Sequence, residues 1–72
     1  MSINELREGR SVSRIVWPDE ESYSTDDDAV FSMQVVEIAG ELSPVPWIKV
    51  RFDDGVEHLV NPVHLAIIEF SE

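Results

Sequence analysis

The sequence predicts a small all-β domain, and three observations carry that prediction. Apolar and polar residues alternate with a period of two across 31–35 and 47–52, the spacing of a strand with one buried face. β-Branched and aromatic residues gather in short runs, as in Val12-Ser13-Arg14-Ile15-Val16-Trp17. Turn residues punctuate those runs at Pro18, at Gly40 to Pro46 and at Asp53-Asp54-Gly55. At 72 residues and 43% hydrophobic content the chain has the size of one domain with one core.

The first eleven residues are mixed and polar and read as an N-terminal segment, with the domain proper over 12–72. Ser2 and Glu5 have the spacing of a capping box for one helical turn, which Gly9 would end. A first strand spans Val12 to Trp17 and stops at Pro18. Residues 18–28, PDEESYSTDDD, form a long loop with six acids, three hydroxyl residues and Tyr23, and loops of that length are often functional. Ala29 to Ala39 reads as a long strand in which Phe31, Met33 and Val35 face inward. Val36 and Ile38 then take over, so a bulge or bend is expected between 35 and 36. Residues 40–46 form a second loop. The third strand runs from Trp47 to Phe52, with Ile48, Val50 and Phe52 inward and Trp47, Lys49 and Arg51 outward.

The following hairpin has two possible registers. A two-residue loop at Asp54-Gly55 sets Glu57 against Phe52 and His58 against Arg51. A three-residue loop with Gly55 left-handed instead pairs Phe52 with Val56, Arg51 with Glu57 and Ile48 with Val60. The second matches apolar to apolar and opposes unlike charges, so it is preferred. It turns His58 inward, opposite Val50, as a core histidine donating to a backbone carbonyl. Asn61 to His64 suits a single 3₁₀ turn, and Leu65 to Phe70 closes the chain as a last strand.

Strand, long acidic loop, long bent strand, loop, strand, tight hairpin, strand, 3₁₀ turn, strand: this order resembles an SH3-like barrel over roughly residues 12–70. The most specific stretch is Pro46-Trp47-Ile48-Lys49-Val50-Arg51, then DDG, then His58 to Leu65. It looks like the segment where a Trp opens the third strand and a proline-containing 3₁₀ turn precedes the last. The resemblance implies a five-stranded barrel, with 18–28 in the place of the acidic RT loop and 40–46 in that of the n-Src loop. The strand that supplies groove tyrosines is missing and Leu65 stands where another would be expected, so proline-rich peptide recognition is not implied.

Fifteen acids against five bases give a formal net charge of −10. Such a chain is repelled by phosphate backbones, which excludes ordinary nucleic-acid binding. Without cysteine there is no disulfide framework, thiol nucleophile or thiolate metal site. No apolar run approaches the ~20 residues of a membrane span, and the N-terminus lacks a basic region followed by an apolar one. A cytoplasmic protein is expected.

Catalytic signatures are missing as well: no serine lies in a G-x-S-x-G elbow, and there is no phosphate loop or dinucleotide fingerprint. His58 and His64 alone make no zinc site, and Asp26, Asp27 and Asp28 lack calcium-loop spacing. No enzyme, cofactor or metal is therefore expected. Trp17 is expected to pack as core or lid.

The leading expectation is a protein-binding module with Trp47, Lys49 and Arg51 on an exposed face. Trp47 anchors the contact. Tyr23 flanks it, and Asp26, Asp27 and Asp28 steer a partner with a basic surface. Two further expectations belong to other classes. One is a phage-type inhibitor, anti-restriction or anti-CRISPR-like, that mimics nucleic acid and blocks a basic cleft. The other is a structural subunit of a larger assembly whose strand edges pair between chains.

Overall fold

The computed structural model describes residues 6–71, and every regular element longer than one turn in it is a strand. Along the chain come β1 (Val12–Val16), β2 (Ser22–Ser24), β3 (Val30–Ile38), β4 (Val45–Phe52), β5 (Glu57–Val60), the 3₁₀ turn Pro62–His64 and β6 (Ile67–Phe70). They form two separate three-stranded sheets, in the orders β2-β1-β6 and β3-β4-β5, and all pairs are antiparallel.

The five-stranded SH3-like barrel is therefore corrected: there are six strands among the described residues, and no barrel closure. The sixth is β2, which forms inside the segment expected to be a loop. Its pairing of Tyr23 with Ile15 puts the tyrosine on the core-facing side of β1, because Ile15 is fully buried. β1 thus spends one edge on β2 and the other on β6, and neither edge remains to carry its sheet into the next. The link between the sheets lies just before β1. Gly9 donates to the Val35 carbonyl at 2.8 Å, the Val35 N–H donates to the Arg10 carbonyl at 2.9 Å, and Ser11 bridges to Gln34. Gly9 makes this possible in a left-handed conformation, φ 85°. The capping box expected at Ser2 lies outside the described residues.

The core sits between the two sheets. Ile15, Val35, Ile48 and Val50 are fully buried, joined by Leu6, Val12, Val30, Met33 and Ile68. Trp17, Tyr23, Phe52, Val60, Leu65 and Phe70 pack around them, so Trp17 takes the packing position expected of it. No polar or charged residue is buried among the described residues.

The hairpin between β4 and β5 has the three-residue register, with Arg51 opposite Glu57, Val50 opposite His58 and Ile48 opposite Val60. Gly55 is left-handed at φ 87° and donates to the Phe52 carbonyl. The Asp54 carboxylate accepts from the Val56 N–H at 2.9 Å and holds the turn. His58 keeps the expected partner but is exposed. β5 is the edge strand of its sheet, and His58 lies at that edge. Asn61 caps the 3₁₀ turn by accepting from the Val63 N–H at 3.1 Å.

The irregularity in β3 falls elsewhere than expected. The ladder with β4 is unbroken from Ser32 to Ile38, whereas it shifts between Val30 and Ser32. Phe31 is the extra residue, and it stands 66% exposed. The bulge lets Val30 and Met33 both face the core although they stand three positions apart, and it leaves Phe31 outward. Phe31→Ala should accordingly change unfolding free energy by less than about 0.5 kcal/mol. Ile48→Ala should cost about 2–5 kcal/mol. Urea unfolding of both variants checks this, and a large loss in the phenylalanine variant would restore the inward reading.

Candidate functional site

β4 is the middle strand of its sheet, so its alternation fixes which side chains share a face. Ile48 and Val50 are buried, and Trp47, Lys49 and Arg51 therefore lie on the opposite, outward side. Cross-strand pairing extends that face on both flanks. Ser32, Gln34, Val36 and Ile38 oppose Arg51, Lys49, Trp47 and Val45 from β3, while Glu57 and Leu59 oppose Arg51 and Lys49 from β5. Phe31 joins at the Arg51 end. The other sheet packs on the far side, against the core. The solvent face of an antiparallel sheet is ordinarily polar. This one carries Trp47, half-buried, and leaves Phe31, Val45 and Leu59 at 66%, 43% and 50% exposure.

A small charged cluster stiffens one end of the face. Arg51 Nε donates to Glu57 Oε2 at 2.8 Å, Arg51 Nη2 donates to the same oxygen, and Lys49 Nζ stands 3.9 Å from it. The hydrogen bond from Arg51, aided by the charges of Arg51 and Lys49, holds the Glu57 carboxyl below its ordinary range. Lys49 and Arg51 follow Trp47 at every second position of the strand, on the same side of the sheet.

Of the residues singled out from sequence, Trp47, Lys49 and Arg51 are brought together. Tyr23 is not placed with them. It stacks edge-to-face on Phe52, 5.4 Å between centroids, and Phe52 has the opposite parity to Arg51 in β4. Tyr23 belongs instead to a row of four rings. Trp17 meets Tyr23 at 5.2 Å and Phe52 meets His58 at 5.2 Å, again edge-to-face. Trp17, Tyr23 and Phe52 are half-buried and His58 is exposed, so the row spans the two sheets at the surface.

Asp26, Asp27 and Asp28 lie between β2 and β3, on exposed backbone. Asp27 accepts from the Ala29 N–H at 2.9 Å, and Asp53 N–H donates to the Ala29 carbonyl, which joins this acidic stretch to the hairpin acids Asp53 and Asp54.

Sequence reasoning left Phe31, Val36, Val45 and Leu59 out of the Trp47 face. Leu59 was recoverable, since the preferred hairpin register already sets it opposite Lys49. Phe31 was hidden by its apparent alternation with Met33.

No family model matches this chain, and no curated protein or solved structure does either. The readings as an SH3-like barrel, a nucleic-acid mimic and a phage-type inhibitor are withdrawn accordingly. Two acids are also neutralised where mimicry would need bare charge: Glu57 by Arg51 and Lys49, and Glu69 by Arg14 at 3.0 Å. Among the described residues no group of three or more His, Asp and Glu is placed to hold a metal ion, and no helix is long and apolar enough to cross a membrane.

A lowered carboxyl pKa in the fold adds stability above the ordinary carboxylate range, and that contribution is lost as pH falls through the lowered value. Carbon-detected NMR titration should find the Glu57 carboxyl titrating below the ordinary glutamate range. In Arg51→Ala its midpoint should return toward that range, and an unmoved midpoint would show that Arg51 is not the cause.

Proposed function

We propose that this chain is a non-enzymatic protein-binding module whose contact surface is the outward face of the β3-β4-β5 sheet. The observation that carries the reading is the apolar surface around Trp47, which no second layer covers. Contiguous exposed apolar surface on a small domain is costly to keep and is a hallmark of interaction sites. A Trp that shares its strand face with a Lys and an Arg has the composition of a binding hot spot. Trp47 enters a pocket of the partner, with Val36 and Leu59 beside it. Arg51, Lys49 and Glu57 form a polar end that fixes orientation. The acids of 26–28 contribute by long-range attraction to a partner with a basic surface, which raises the rate of encounter more than the final affinity.

A second copy of the chain is a poor occupant of this face, because docking two molecules of charge −10 sets their fields against each other. A different protein suits it better.

The test begins with affinity capture on the folded protein, identification of the captured partner by mass spectrometry, and titration of the purified pair. Trp47→Ala should weaken binding by about 2 kcal/mol or more, roughly thirtyfold, while the amide NMR spectrum keeps its dispersion. Leu59→Ser, at an exposed position, should weaken it without any risk to the core. Unchanged affinity in both variants would sink the proposal. Concentration-dependent mass in solution, abolished by Leu59→Ser, would replace it with self-association.

A further inference from the structure

The ring row Trp17–Tyr23–Phe52–His58 is a separate surface from the Trp47 face, and its surroundings specify a different kind of contact. Phe52 and Trp47 point to opposite sides of the same sheet, so one flat partner surface does not reach both. Acids follow two members of the row in sequence, Trp17 and Phe52. Asp19, Glu20 and Glu21 follow Trp17 in a turn closed by Glu20 N–H to the Trp17 carbonyl at 3.0 Å and Trp17 N–H to the Glu21 carbonyl at 2.8 Å. Asp53 and Asp54 follow Phe52, and the Asp53–Ala29 hydrogen bond brings in Asp26 to Asp28.

Four of the chain's five lysines and arginines are committed elsewhere. Arg14 pairs with Glu69, Lys49 and Arg51 with Glu57, and Arg10 lies over the Phe70 ring at 3.6 Å. Among the described residues no ion pair involves the acids of 19–21, 26–28 or 53–54. The part of the half-buried ring row that reaches solvent attracts cations by its quadrupole, and the flanking carboxylates, in no ion pair among the described residues, add a field of the same preference.

We propose that the ring row is a docking site for a basic, extended segment of a partner protein, with an arginine or lysine side chain seated against Trp17 and Tyr23. Alternate residues of that segment point toward the rings and the others toward the flanking acids. Apolar ring surface supplies the seat, and charge complementarity selects the occupant. The site stands independently of the Trp47 reading.

The probe is a short peptide of alternating glycine and arginine, with a citrulline version of equal shape and no charge as control. Amide and indole NMR spectra of the whole protein are followed during titration at roughly 150 mM salt, where distant charges are screened. The arginine peptide should shift the Trp17 indole and the Tyr23, Phe52 and His58 signals, and the citrulline peptide should not. His58→Ala, at an exposed position, should weaken binding by about threefold, and Tyr23→Leu by about threefold to tenfold. Trp47→Ala should leave the affinity unchanged. Equal affinity of the ring variants and the parent would mean diffuse attraction to acid and would overturn the site. So would peptide shifts confined to the acidic segments, or loss of binding in Trp47→Ala alone. Should Tyr23→Leu unfold, the His58→Ala comparison decides by itself.

Discussion

The strict alternation of side chains along β4 governs everything else in this molecule. β4 lies between β3 and β5, so any residue turned toward the core removes its neighbour from it. Burying Ile48 and Val50 obliges Trp47, Lys49 and Arg51 to face solvent, and the same parity sends Phe52 inward to meet Tyr23. Both surfaces described above follow from that one constraint. A single-residue slip of β4 against its neighbours would put a lysine and an arginine into the core, where two unpaired charges carry a heavy desolvation cost. The register is therefore held firmly by the very residues that line the outer face.

Where local chemistry sets the geometry, the sequence was legible. Asp54 and Gly55 specify the hairpin, because only a left-handed residue closes that loop and glycine adopts it without a Cβ penalty. The apolar and charge pairing then leaves one register. Asn61 followed by Pro62 specifies the 3₁₀ turn in the same way, through a side-chain cap and a fixed φ. Trp47, Lys49 and Arg51 were readable as one outer column for the same reason, since a strand's period is two whatever it packs against.

Where structure depends on distant partners, the sequence misled. Ser22-Tyr23-Ser24 is three residues long, hydroxyl-rich and set among acids, and nothing within it announces a strand. Its pairing is dictated by β1 and by the burial of Tyr23 beside Ile15. The bulge at Phe31 is equally invisible, because a residue inserted into a ladder leaves the local pattern looking regular. Barrel closure was misjudged for a related reason. Element order is compatible with a closed barrel and with two facing sheets alike, and the choice is made by which edges of β1 are occupied.

The pairing of β1 with β6 sets the order in which the fold can be completed. β3, β4 and β5 are consecutive, so their sheet closes through short connections and can assemble as soon as they exist. In the other sheet β1 and β2 also pair through a short connection, but the β1–β6 ladder sets Val12 against Phe70 and needs residues far apart in sequence to be gathered. During synthesis the meander and the β1–β2 pair would stand for a time without β6, with part of the core face uncovered. The acids at the meander's turns, Glu41, Asp53 and Asp54, and those just before β3 then act between nascent chains by mutual repulsion, before any of them has a finished core to protect.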